Sequence, residues 1–154
     1  MSEPSDSTQP FQEVVAFRVA GQEFCIDIMS VKEIRGWTET TVLPHAQAYV
    51  KGVINLRGSV VPVVDLSARL GLGQIEPGPR HVIIITVVNG RIVGLLADVV
   101  SDIITAGEAD MHPVPDVVAG DVRSFVSGVI TIDSQMIGML DLEQVLPPVV
   151  REAA

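Results

Sequence analysis

Short runs of aliphatic, mostly β-branched residues recur along this chain, each stopped by a Gly, Asn, Asp or Pro break. Val14–Ala20 and Glu23–Ile28 are two such runs around Gly21-Gln22, a pattern that predicts a hairpin. Met29 to Ile34 changes character. Asp27 or Ser30 stands where an N-cap would, and Ser30 with Glu33 has capping-box spacing, so a short helical turn is expected, stopped by Gly36. Thr38 to Leu43 reads as another strand, and Pro44 to Val50 as a connector. Val53–Leu56 and Val60–Val64 then flank the polar break Arg57-Gly58, where glycine tolerates positive φ and the arginine is pushed outward. Pro62 cannot donate to a ladder, so its strand is expected to have an open side or a bulge. Asp65 sits in the N-cap position of a short helix, Leu66 to Leu70. Gly71 to Pro79 is the clearest linker. Beyond it, His81–Val88 is continuously apolar, as in a strand buried on both faces, and Asn89-Gly90 is a type I′ hairpin signal before the return strand Arg91–Leu96. Ala106 to Arg123 is a long connector, and Glu143–Leu146 is a last helical turn limited by Pro147-Pro148.

The pattern repeats. Gly128 to Leu142 matches Gly52 to Leu66 without a gap at an offset of 128 − 52 = 76 residues, with Gly-Val-Ile opening and Asp-Leu closing both copies. Earlier segments align at 90 − 21 = 69, which lays Gly21 on Gly90, Val31 on Val100 and Glu33 on Asp102. The chain therefore holds two copies of one design, with blocks at about 14–70 and 81–146. Each has about five short strands with frequent turns, the signature of a small barrel. The expected fold is all-β: two barrels burying their facing sides in one shared core. Residues 1–11 read as a disordered lead-in, 12–146 as one domain of two intertwined subdomains, and 147–154 as a tail.

Composition narrows the function. Aromatic content is 4% against 47% hydrophobic, so the core must be aliphatic. The formal charge of −9 and the lack of a basic cluster oppose binding to nucleic acid. A single cysteine, Cys25, suits a reducing compartment and sits in an apolar run as a packed, inert thiol. The polar, acidic start lacks the basic and apolar regions of a signal peptide, and no apolar stretch is long enough to cross a bilayer. A cytoplasmic protein with no direct membrane insertion is expected.

No catalytic set stands out. His45, His81 and His112 lack metal-ligand neighbours, so no metal is expected, and no cofactor motif is present. Ser59 lies outside any nucleophile elbow, and Lys51-Gly52 does not complete a phosphate-binding loop. The strongest enzyme reading is a hydrolase using the equivalent aspartates Asp65 and Asp141 as a proton-sharing pair. Both precede a helical turn, where N-capping is the plainer role, and Asp65→Asn is then expected to cost little. More telling is the turn itself. Asn55-Leu56-Arg57-Gly58 in the first copy corresponds to Thr131-Ile132-Asp133-Ser134 in the second. A turn that departs from its own repeat, on a scaffold that does not, is a candidate for function. An ion pair between Arg57 and Glu33 would orient a contact surface if the two elements pack together.

Gly52-Val53-Ile54-Asn55-Leu56-Arg57-Gly58 with Val61-Pro62-Val63-Val64-Asp65-Leu66 resembles the signature of the CheW family, the coupling proteins of bacterial chemotaxis. The segments around Gly21–Ile28, Val31–Gly36, Tyr49–Gly52 and Val93–Asp98 extend the resemblance from about Val14 to Leu146. It implies two five-stranded SH3-like barrels around a common core and a non-enzymatic adaptor. The implied partners are the regulatory domain of the CheA histidine kinase and the cytoplasmic hairpin tip of chemoreceptors, with recruitment to membrane-bound receptor arrays. A different chemosensory-type kinase pathway is the alternative. Arg57 and Glu33 match family positions that couple receptor to kinase, with Val31, Ile34, Gly52 and Gly58 beside them. Val99 and Val100 fall where the family lines a receptor groove. Two departures are Gln47, where proline is common, and Ser67, where a basic residue is frequent at a peripheral contact.

Overall fold

A computed structural model describes residues 11–115 and 121–148. Residues 1–10 and 149–154 of the expected tails and 116–120 of the long connector therefore lie outside the described residues, and Phe11 already opens the first strand. In order, the elements are β1 (Phe11–Val19), β2 (Gln22–Asp27), β3 (Val31–Gly36), β4 (Val50–Leu56), β5 (Ser59–Asp65), α1 (Leu66–Arg69), β6 (Val82–Val88), β7 (Arg91–Ala97), β8 (Val99–Gly107), β9 (Met111–His112), α2 (Asp121–Phe125), β10 (Val126–Ile132), β11 (Gln135–Leu140) and α3 (Leu142–Val145). β-Branched residues, stiff at χ1, fill these strands as a pleated surface favours.

Three expectations fail: the Ala106 to Arg123 connector holds the end of β8, a 3₁₀ turn, β9 and the start of α2, and the other two lie around β3. Only Ile28–Ser30 forms a helical turn, a 3₁₀ turn capped by Asp27, whose Oδ1 accepts the Met29 N–H at 2.9 Å. Val31 onward is strand, because pairing with β6 satisfies its backbone groups better than one isolated helical turn could. Glu33 therefore stands on a strand. Thr38–Leu43 makes no strand either. Thr41 alone pairs, exchanging two 2.9 Å bonds with Val53, as the chain crosses from β3 to β4.

The strands form a six-stranded sheet, β9-β10-β11-β2-β1-β8, and a five-stranded sheet, β3-β6-β7-β5-β4. Each takes strands from both copies of the repeat. The first copy's opening hairpin, β1–β2, lies beside β11 of the second, joined by a parallel pairing of β2 with β11. The second copy's opening hairpin, β6–β7, lies beside β5 of the first, joined by the equivalent parallel pairing of β7 with β5. The copies have exchanged hairpins. Pro62 sits just before that parallel ladder, which begins at Val63, so its missing N–H meets an open side as expected.

Both sheets curl into SH3-like barrels. In the six-stranded sheet, β8 at one edge reaches β9 at the other through the 3₁₀ turn Glu108–Asp110, which requires the edges to be close. In the other, Thr41 ties the connector after β3 to β4. Alternation along the strands then divides the side chains. Ile83 and Ile85 fill one barrel with Val61 and Val63, while Val14, Ala16, Ile130 and Ile137 fill the other. Between the barrels lies the shared core of Phe17, Phe24, Ile26, Val64, Leu66, Ile84, Leu95 and Leu140. β6 is buried on both faces as its apolar run predicts, Ile84 facing the shared core.

Arg69, in α1, fastens the two copies at their pseudo-twofold axis. Its Nε donates to the carbonyl of Val145 at 2.8 Å, its own repeat counterpart (69 + 76 = 145), and its Nη2 to that of Gln144 at 2.9 Å. The guanidinium also packs on the rings of Tyr49 and Phe125, 4.3 and 4.9 Å from their centroids. Those two residues are counterparts as well (49 + 76 = 125).

Candidate functional site

The turn between β4 and β5 is made by two successive left-handed residues, Arg57 at φ 50° and Gly58 at φ 89°. This is the type I′ form that suits the twist of the flanking strands. Oδ1 of Asn55 accepts the Gly58 N–H at 2.8 Å and braces the turn from within. The equivalent Asp133-Ser134 turn has the same backbone, φ 51° and 68°, without the arginine. The arginine side chain leaves the end of the hairpin 62% exposed, yet it is not loose: its Nη2 donates to Oε1 of Glu33 at 2.8 Å.

Glu33 is brought there by β3. The β3–β6 register slips between Val31, opposite Thr86, and Glu33, opposite Ile85, so Lys32 is an extra residue. Bulges of this kind re-aim side chains. Beyond it, Glu33 and Arg35 share one face at strand spacing, and Nη1 of Arg35 donates to Oε2 of Glu33 at 3.0 Å. Each oxygen of one carboxylate thus holds one guanidinium. The hydrogen bonds from Arg57 first, then from Arg35, hold the Glu33 carboxyl below its ordinary titration range. Such an exposed arrangement adds little to stability. Its effect is to fix the direction of Arg57.

The other sequence-derived positions fall in three places. Ile34 is 43% exposed on β3, and Val31 packs against the shared core. Gly52 lies at a bulge in β4 with φ 143°, where a Cβ would stand 2.4 Å from the Thr41 carbonyl oxygen. Only glycine permits that approach, so Gly52 supports the connector beside the site rather than offering a side chain to a partner. Val99 and Val100 lie on the other sheet, on edge strand β8. Val99 is exposed, while Val100 packs partly against the shared core.

Arg35 was not among the residues picked out from the sequence. Its spacing of two from Glu33 would have identified it had β3 been read as a strand. With Thr38, Glu39, Thr41, Asn55 and Val60 it lines a cavity of about 310 Å³ next to the ion pairs.

Both aspartates cap helices. Asp141 accepts the Glu143 N–H through Oδ1 at 3.1 Å. Asp65 is buried and does more. Oδ1 accepts the Ala68 N–H at 3.1 Å, Oδ2 accepts the Ile75 N–H at 2.8 Å, and Nζ of Lys51 stands 3.7 Å from Oδ2. The expectation that asparagine would serve equally at 65 is therefore corrected, since an amide nitrogen cannot accept where a second oxygen is needed. Ser67 is also buried, which removes it from any peripheral contact. Burial pushes the Cys25 thiol up to about 12, where it is inert at neutral pH. Among the described residues, no helix is long and apolar enough to cross a membrane.

The family model described as a CheW-like domain matches residues 13–149. The chain is similar to "Chemotaxis protein CheW" of Rhizobium meliloti (strain 1021), 55% identical over 143 residues that cover 93% of this chain and 92% of that one. It is also similar to the protein of the same name from Bacillus subtilis (strain 168), 33% identical over 88% of this chain and 86% of that one. Among solved structures, the scaffolding protein TtCheW from Thermoanaerobacter tengcongensis superposes with a TM-score of 0.78 at 32% identity, covering 84% of this chain and 88% of that one.

Proposed function

Starting from the fact that this chain belongs to the CheW-like domain family and is a chemotaxis scaffold rather than an enzyme, we propose that it couples methyl-accepting chemoreceptors to a CheA-type histidine kinase within signalling arrays at the membrane. Its two partners are the regulatory domain of that kinase and the cytoplasmic hairpin tip of the receptors. The observation that carries this reading is the Arg57 turn. Its backbone repeats that of Asp133-Ser134, but its arginine is exposed and aimed by Glu33. A fixed, outward guanidinium on a rigid hairpin is a contact group, since arginine's planar fork loses little freedom on docking. Glu33, Val31, Ile34, Gly52 and Gly58 form or support that surface. Val99 and Val100, on the other sheet, are assigned to the receptor groove.

Reconstitution of receptor, kinase and scaffold tests this. Arg57→Ala is expected to leave stability within ~0.5 kcal/mol of wild type, as for most surface changes, while receptor-dependent kinase activation is lost. A variant that assembles fully active complexes would remove Arg57 from the coupling surface.

A further inference from the structure

Of the side-chain nitrogens and oxygens buried among the described residues, one lacks a hydrogen-bond partner: Nε of Arg35. A buried donor without an acceptor is costly, and native proteins keep few of them. Its position gives it a use. Nη1 of the same guanidinium is held by Glu33, so the edge left over is the Nε–Nη2 fork, whose two parallel N–H groups match the two oxygens of a carboxylate. Arg35 lines the cavity beside the ion pairs together with Thr38, Thr41, Asn55 and Val60. Val60, on the cavity wall, is 72% exposed and adds apolar surface, and arginine beside apolar surface is common at protein contacts. Arg35 and Arg57 are matched by Glu33 and by Glu39 on the cavity wall, so the patch is locally balanced in a chain of net charge −9, and its guanidiniums are the groups that would attract a carboxylate.

The geometry points to a carboxylate subsite: an aspartate or glutamate side chain of the kinase regulatory domain docks on Arg35 in this cavity, with Arg57 at its margin. This rests on the adaptor reading above and adds to it a residue and a chemistry. Arg35 is 39% exposed, so its side chain can turn toward the incoming oxygens and give the unpartnered Nε an acceptor.

Glu39 makes the idea testable in two directions. Binding of the full-length chain to the purified kinase regulatory domain would be measured by calorimetry at low and high salt, with melting curves as a control on folding. Arg35→Gln should weaken binding ~10-fold, as expected for a lost charge-assisted bidentate contact. Arg35→Lys, which keeps the charge but not the fork, should recover only part of that loss. Glu39→Gln, which removes the repulsion, should tighten binding by ~2- to 5-fold at low salt, a gain that shrinks at high salt. An arginine with a merely structural role would not make the glutamate substitution favourable. Wild-type affinity in folded Arg35→Gln, or unchanged or weaker binding in Glu39→Gln, overturns the carboxylate subsite while leaving the adaptor function standing. A wild-type chain that binds neither the kinase domain nor a receptor hairpin fragment overturns both.

Discussion

Replacing Arg69 by methionine tests whether the two copies are fastened where the repeat axis crosses the molecule. Methionine keeps most of the apolar stem and removes the guanidinium. Lost are two bonds to the carbonyls of Val145 and Gln144, at 2.8 and 2.9 Å, and contacts with the rings of Tyr49 and Phe125. A hydrogen bond from a charged donor contributes ~1.5 kcal/mol at the low end, and a partly exposed cation–π contact ~0.5 kcal/mol. Two of each come to ~4 kcal/mol, reduced to ~3 kcal/mol because contacts made by one side chain do not add fully. For a domain of this size each kcal/mol lowers the melting temperature by ~2–4 °C, so a fall of ~6–12 °C is expected. Urea unfolding should show a lower midpoint with an unchanged slope, as expected when stability alone has changed. Arg69→Lys should recover less than half of the loss, because an ammonium cannot make the planar double contact. A loss under ~1 kcal/mol in the methionine variant, below the low-end value for even one charged hydrogen bond, or full recovery by lysine would refute the clamp.

Three further outcomes follow from the site and its supports. Gly52→Ala should destabilise by more than ~3 kcal/mol or prevent folding, since it adds a 2.4 Å approach to the Thr41 oxygen to an unfavourable φ; thermal melting reads this directly. Asp65→Asn should cost ~1–3 kcal/mol in urea unfolding, because the Ile75 N–H or the Ala68 N–H loses its acceptor, whereas Asp141→Asn should cost only a few tenths. The Glu33 carboxyl should titrate below its ordinary value of 4.5, and Arg57→Ala should move it upward, as followed by side-chain NMR. Because the folded value is depressed, what the ion pairs add to stability is present above the unfolded value and disappears as pH falls through the folded one. Titration at or above 4.5 in wild type would show that the two guanidinium contacts do not persist in solution.

Local chemistry made much of this legible in the sequence. The repeat, the Arg57-Gly58 and Asn89-Gly90 turns, the doubly buried β6 and both helix caps follow from spacing and residue type, and all are present. The error at β3 has a physical cause. Ser30 with Glu33 mimics a capping box, but β6 offers Val31–Gly36 a full ladder, and long-range pairing outweighs a single turn of helix. Missing that strand hid Arg35, whose relation to Glu33 is visible only at a period of two. The second role of Asp65 was equally hidden, because it depends on the N–H of Ile75, inside the Gly71–Pro79 linker. Intertwined subdomains are expected from the sequence, but which hairpins cross between them is not legible there. Nothing in a linear pattern distinguishes a strand that pairs within its own copy from one that pairs across, since both faces are equally aliphatic.

That exchange bears on how such a molecule can assemble. A chain carrying one copy alone would hold a hairpin with no wall of its own to complete, and two such chains would have to trade hairpins at a rate and yield set by how often they met. Joining the copies end to end makes the trade an internal event, governed by tether length instead of by the number of molecules in the cell. A scaffold built this way stays whole at any dilution.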